Sequence, residues 1–252
     1  MSNIFQTGIR PAVDDYLKEQ SEKERDYGDY WSASSAGYCM RLTILRRLGV
    51  PKVPELQEKD FGQTRIFEAG HIFHEWMQRI TKKSGLSIAS EVTLQDDKLM
   101  IRGHFDDLVK VKEHLILYDY KTAHSASFKW KQDKPIGHYH KMQLGTYMYM
   151  LRKDYPELTE GRIMSISKDD LRLDEKQVFW SPELEQQVYG FWATLNGYWK
   201  AKTLPKCTCL DHDGGFMGKR SAKGKFYNDF FYNDEPCSEE WYLKCKKEGL
   251  LK

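Results

Sequence analysis

The 252-residue chain is 40% hydrophobic and 30% charged, the balance of a soluble globular protein with one sizeable core or two small ones. No apolar run approaches the roughly 18 to 20 residues of a membrane helix, and the opening MSNIFQTGIRPAVDDYLKEQ lacks the basic-then-apolar order of a secretory signal, so a cytoplasmic protein without membrane contact is expected. The net charge of +2 does not announce a nucleic-acid binder, but it hides local basic stretches: Arg41–Arg47, Lys82–Lys83, Lys129–Lys134 with Trp130, and Lys219–Lys225.

Polar residues at helical spacing predict a surface helix over 11–26. WSASSAG at Trp31–Gly37 reads as a loop ending in a helix cap at Ser34 or Ser35. The helix that follows, about 36–48, stops at Gly49 with Pro51 beyond. Val50–Lys59 reads as a linker. A long amphipathic helix covers about 60–83. Ile66, Phe67, Phe73, Met77 and Ile80 form its apolar side, and His71, His74, Glu75 and Gln78 share another face. Strands are expected at about 86–95, 99–111 and 114–121. A polar, aromatic and basic loop fills 122–137, and a helix follows at 138–153. Two more strands, about 162–168 and 171–180, precede a helix from Ser181 to about Lys202. The rest looks loop-like.

This order implies an α/β fold of the mixed α+β kind, a central mixed sheet flanked by helices. We divide it into an N-terminal helical region (1–59), a core (60–202) and a cysteine-rich C-terminal segment (203–252) packing back on the N-terminal region, one structural domain overall.

Chemistry concentrates in Gly103–Thr122, GHFDDLVKVKEHLILYDYKT. Asp119 and Lys121 are two apart on one strand, so their side chains share a face. Asp106 lies thirteen residues earlier, a spacing that suits a hairpin folding back beside them. Two carboxylates converging with a lysine can hold magnesium or manganese and steer a water against a phosphodiester. Asp107 points to the other side of a regular strand. Glu91, on the preceding strand, could approach the metal site but reads first as solvent-exposed, and His71 and Glu75 read as helix-face residues.

This pattern resembles the PD-(D/E)xK nuclease superfamily, in its RecB-like branch. Gly70 and His74 match a G-x-x-x-H motif, Gly103–Asp106 a G-x-x-D motif, Asp119–Lys121 a D-x-K motif, and Gln143 with Tyr147 a Q-x-x-x-Y motif, all in the family's order. The resemblance implies a restriction-endonuclease-like core and a metal held by His74, Asp106 and Asp119. It makes Lys121 the residue that polarises water, and gives Gln143 and Tyr147 a supporting role at DNA phosphate or metal ligands. The implied activity is a Mg- or Mn-dependent deoxyribonuclease, an exonuclease on single-stranded DNA or duplex ends in phage-like recombination, replication or repair. A helicase or recombination protein is an implied partner, and an oligomer is left open.

Five cysteines remain: Cys39, Cys207, Cys209, Cys237 and Cys245. An odd count in a reducing compartment fits a metal or cluster better than disulfides. An early cysteine with a late trio resembles the nucleases that bind a 4Fe-4S cluster, such as the AddB nuclease domain and CRISPR-associated Cas-four-like exonucleases with their phage relatives. Four of the five would then be ligands, with structural zinc as the alternative. The late cysteines depart from that group's spacing, because a long insertion separates Cys209 from Cys237. The rival readings are a zinc-organised nucleic-acid-binding module and an inactive nuclease-fold scaffold.

Overall fold

The computed structural model describes residues 8–22, 28–54, 61–209 and 228–251. Residues 23–26 of the first expected helix, 55–59 of the linker, the basic stretch Lys219–Lys225 and most of the late insertion lie outside the described residues. Among the described residues, no helix is long and apolar enough to cross a membrane.

Six strands form one mixed sheet. They are β1 (Trp31–Ser32), β2 (Ser87–Asp96), β3 (Ile101–Val111), β4 (His114–Ala123), β5 (Glu160–Ser167) and β6 (Leu173–Phe179). β3 pairs antiparallel with β2 and with β4, and β1 runs parallel beside the start of β3 at Ile101 and Arg102. β4 and β5 are parallel, and β6 closes the far edge antiparallel. A parallel pair needs a long crossover. Here it contains α4 (Ser125–Gln132) and α5 (His138–Leu151).

Helices cover both faces. On one, α5 packs with α6 (Pro182–Lys200), and Leu144, Met148, Val188 and Trp192 are fully buried between them and the sheet. Ser181 caps α6 by accepting the Leu184 N–H at 3.2 Å, and Pro182 occupies the first turn where no N–H is needed. On the other face, α3 (Phe61–Lys83) lies across β2, β3 and β4, with Met77 against Tyr120 and Ile166. α1 (Arg10–Glu22) rests on α3. Apart from α4, the expected order of strands and helices from 60 to 202 is therefore the observed one.

Three local expectations change. The helix expected from 36 is α2 (Met40–Arg47), with Cys39, not Ser34 or Ser35, at its N-cap. The serines close a turn of their own: Ser35 Oγ donates to the Ser32 carbonyl at 2.7 Å, and Gly37 then takes a left-handed φ of 76° that breaks any continuous helix. Residues 125–132 are helical rather than loop. Phe128 is the one buried residue of α4, too little to give a periodic signal, and His124 caps it. The tail contains α7 (Glu239–Lys247), N-capped by Ser238, where only Trp241 and Cys245 are buried.

The tail packs on α2 and the chain just beyond it. Cys209, Phe230, Cys237, Trp241 and Cys245 form one apolar cluster with Cys39, Leu42, Leu45, Val50 and Val53. Trp241 Nε1 donates to the Pro51 carbonyl at 2.9 Å, so the ring's polar end is satisfied.

Candidate active site and cysteine site

The site sits where β3 and β4 part. Their pairing runs from Val111 opposite His114 to Asp107 opposite Tyr118. Beyond that point β4 continues beside β5 as far as Ala123 opposite Ser167, while β3 turns to β1. A strand N–H left at such a fork needs an acceptor. Asp106 Oδ2 supplies it, taking the Tyr120 N–H at 2.6 Å. Gly103 makes room beside the fork: a Cβ there would lie 2.7 Å from Ala33 Cβ and 3.0 Å from the Tyr147 hydroxyl.

Asp119 and Lys121 face the fork from β4. Lys121 Nζ is 2.9 Å from both Asp119 oxygens, with its hydrogen bond directed to Oδ1. Asp119 is 3% exposed, and its Oδ2 is buried without a hydrogen-bond partner. The same ammonium donates to Gln143 Oε1 at 3.2 Å, so α5 holds the lysine from above. Burial, with Asp106 adding to it, outweighs Lys121 and pushes the Asp119 carboxyl up to about 6. Burial opposes the charge on Lys121, yet Asp119 and Asp106 hold its ammonium above the ordinary value. Both shifts favour uptake of positive charge, as expected where two carboxylates face one ammonium.

His74 approaches from α3, its Nδ1 3.4 Å from Asp106 Oδ1. Burial works against the imidazolium, but Asp106 more than compensates and raises its pKa. Glu91 completes this side. Donor atoms of His74, Glu91 and Asp106 all lie within 4.8 Å of one another. Glu91 is exposed in the sense expected from its strand, yet it is also part of this group. Its backbone sits at a left-handed φ of 55°, opposite Asp106 between the pairs Ser90–Asp107 and Val92–Phe105. That conformation is uncommon for a non-glycine residue and collects at functional sites. Gln78 secures the arrangement by donating to Glu91 Oε1 at 2.8 Å and to the Asp106 carbonyl at 3.2 Å. No residue pattern signals this role; only the backbone irregularity does.

The other candidates divide. Asp107 is fully buried and accepts from the hydroxyls of Thr81 at 2.5 Å, Ser87 at 2.6 Å and Tyr120 at 3.0 Å, a structural role on the α3 side. Tyr147 shares its helix face with Gln143 but is 4% exposed, and its hydroxyl backs Gly103. His71 lies 3.9 Å from Glu68, away from the group. His140 was not among the sequence candidates. Burial first, then Lys121 and Lys131, lower its pKa to about 4, so it stays neutral beside Lys121.

Four cysteines meet at a second site. The sulfurs of Cys39, Cys207, Cys209 and Cys237 lie within 4.8 Å of one another, with Cys39 to Cys207 at 3.9 Å and Cys209 to Cys237 at 3.4 Å. Hydrogen bonding, from Cys207 above all, drives Cys39 far toward its thiolate, while the neighbouring thiols push Cys209 and Cys237 the other way. Crowded sulfurs that cannot all ionise alone are the donor set a soft cation relieves. Cys245 is buried in the same apolar cluster but outside this group.

Residues 83–204 match the PD-(D/E)XK nuclease superfamily. No curated protein matches the chain. Among solved structures, the protein SSO0001 is similar at 18% identity and a TM-score of 0.49, over 79% of this chain and 88% of its own. An alkaline exonuclease (LHK-Exo) from Laribacter hongkongensis is similar at 17% identity and a TM-score of 0.42, over 69% of this chain and 93% of its own. The same exonuclease in complex with dAMP gives 17% and 0.40, over 70% and 94%.

Proposed function

We propose that this chain, whose residues 83–204 match the PD-(D/E)XK nuclease superfamily, is a metal-dependent deoxyribonuclease acting on single-stranded DNA or duplex ends. The observation that carries the reading is the convergence of Asp106, Asp119 and Lys121 at the β3–β4 fork, with Gln143 on the lysine.

The residues present fit a hard divalent cation. Asp119 Oδ2 is a buried carboxylate oxygen that shares the Lys121 ammonium but takes no directed hydrogen bond, and His74, Glu91 and Asp106 gather their own donor atoms into one group. His74, Asp106 and Asp119 would hold the ion, with Glu91 as a further ligand. A magnesium or manganese ion bound there supplies an acidified water and neutralises charge on the phosphate. Lys121 places its ammonium where charge develops on the scissile phosphate. Gln143 fixes the direction of that ammonium, and His140, held neutral, adds no competing charge.

The segment after β4 offers the DNA a path. Lys129, Lys131, Lys134 and Lys141 face one acidic residue, Asp133, over residues 124–141, a far stronger local bias than the whole-chain balance. Action on ends leaves unwinding to frayed termini or to a helicase partner, in recombination, replication or repair.

The test is cleavage of end-labelled linear single strands, blunt duplex and closed circular DNA with magnesium or manganese. Linear substrates are shortened and circles survive, and Asp119→Ala and Lys121→Ala lose about three orders of magnitude in rate. Linear DNA left intact, or cut equally well by both variants, sinks the proposal.

A further inference from the structure

We infer that Cys39, Cys207, Cys209 and Cys237 are built to hold one zinc ion, clamped by the Asn228 amide, in place of the four-iron cluster that the family resemblance implies. The inference rests on the reading of these four cysteines as one metal site and adds which metal and which supporting residue.

Spacing is the first argument. A tetrahedral zinc with Zn–S bonds of 2.3 Å puts its thiolates roughly 3.8 Å apart. A cubane gives each thiolate its own iron, which spreads the sulfurs to roughly 6 Å. The observed separations are 3.9 Å and 3.4 Å, and all four sulfurs lie within 4.8 Å of one another. Such a cage closes around one ion. Its surroundings are packed: Cys39, Cys209 and Cys237 are at most 2% exposed, and Leu42, Leu45, Phe230 and Trp241 crowd the same cluster. Widening the cage by more than 2 Å would break that packing.

The second argument is the N–H supply. Four thiolates on one divalent ion leave excess negative charge on the sulfurs, which N–H donors offset. Each sulfur has one. The Thr208 N–H reaches Cys39 Sγ at 3.4 Å, and the Cys209 N–H reaches Cys207 Sγ at 3.5 Å. Asn228 Nδ2 is 3.1 Å from both Cys209 Sγ and Cys237 Sγ. Asn228 is 1% exposed, and its orientation is fixed from behind. Its Oδ1 accepts the backbone N–H of Phe230 at 3.0 Å and of Cys237 at 3.4 Å, so the amide nitrogen has to face the sulfurs.

Elemental analysis and the visible spectrum of protein purified without oxygen, combined with chelator-release kinetics, test both parts. One equivalent of zinc, no visible chromophore, loss of the metal in Cys237→Ser and its retention in Cys245→Ser support the zinc site. For the clamp, Asn228→Asp keeps the oxygen that accepts the two backbone N–H groups but turns an acceptor toward the thiolates. It is expected to release metal to chelator at least about tenfold faster than wild type. Asn228→Asp indistinguishable from wild type, with only Asn228→Ala impaired, would make the residue a backbone brace and overturn the clamp. Iron and sulfide at about four each in the anaerobic protein would overturn zinc while leaving the four-cysteine site standing. Protein free of any metal would overturn that site and this inference together.

Discussion

Asp106 and Asp107, adjacent in sequence, both meet α3 but do different work: Asp106 meets His74 and the Tyr120 N–H at the fork, whereas Asp107 is sealed under three hydroxyls. Their variants should therefore fail in opposite ways. Asp106→Asn, which keeps an oxygen for the Tyr120 N–H, is expected to lose cleavage while keeping its unfolding midpoint within about 2 °C of wild type. Asp107→Ala strands the buried Tyr120 hydroxyl and should cost about 3 kcal/mol in urea unfolding. Cleavage by its folded fraction should persist. Equal effects of the two variants on stability would contradict the division.

Gln143 accepts from the Lys121 ammonium at 3.2 Å and so can position it. Gln143→Leu removes the acceptor and leaves the ammonium held by Asp119 alone. A drop in kcat of about tenfold to a hundredfold is expected, with KM little changed. Gln143→Glu retains an acceptor and should recover much of the loss. A change confined to KM would instead make Gln143 a DNA contact.

Glu91 carries a trade-off. Its left-handed backbone costs of order 1 kcal/mol, which glycine would relieve. Glu91→Gly should thus stabilise the metal-free protein by about 1 kcal/mol, yet raise the manganese concentration for half-maximal cleavage about tenfold. Glu91→Gln should show the second effect without the first. Unchanged metal dependence in both variants would return Glu91 to the solvent.

His140 gives a pH signature in stability. Its folded pKa of about 4 lies below the ordinary 6.5, because burial and then Lys121 and Lys131 oppose the charge. Between those values the unfolded chain binds a proton that the folded chain refuses. The contribution to stability is complete above pH 6.5 and is lost as pH falls toward 4. In urea titrations without metal, His140→Gln should lose less stability between pH 7 and pH 5 than wild type. An identical slope would show that His140 is free to ionise in the folded state.

Much of this was legible in the sequence because it follows from period and spacing. Alternation put Asp119 and Lys121 on one face, and the i, i+4 step put Gln143 on a helix face above them. The positions of five strands along the chain followed from runs of Ile, Val, Leu and Tyr. What escaped depends on contacts rather than period. Glu91 joins His74 through a backbone irregularity, α4 and α7 bury one or two side chains each, and Tyr147 is turned to the core by the close approach that Gly103 permits. The choice among five cysteines likewise needed the tail's packing on α2, which sets Cys245 apart.

Trp130 is the exposed counterpart to that core. It is 66% exposed on α4, directly after the strand that carries Asp119 and Lys121. Lys134 Nζ lies 5.7 Å from its ring, and Lys176 braces the helix end by donating to the carbonyls of Lys131 and Lys134. An indole left in water on a rigid, lysine-rich helix can stack a nucleobase whatever its identity. Trp130→Ala should raise KM for single-stranded DNA about tenfold, the loss of one base stack, with kcat within about twofold of wild type. Trp130→Phe should recover most of the affinity, since a smaller ring still offers a face. The lysines act on phosphate instead, so Lys129→Ala with Lys131→Ala should flatten the salt dependence of binding while leaving the stacking contribution in place. If Trp130→Ala left KM untouched, the strand would have to leave the fork by another route.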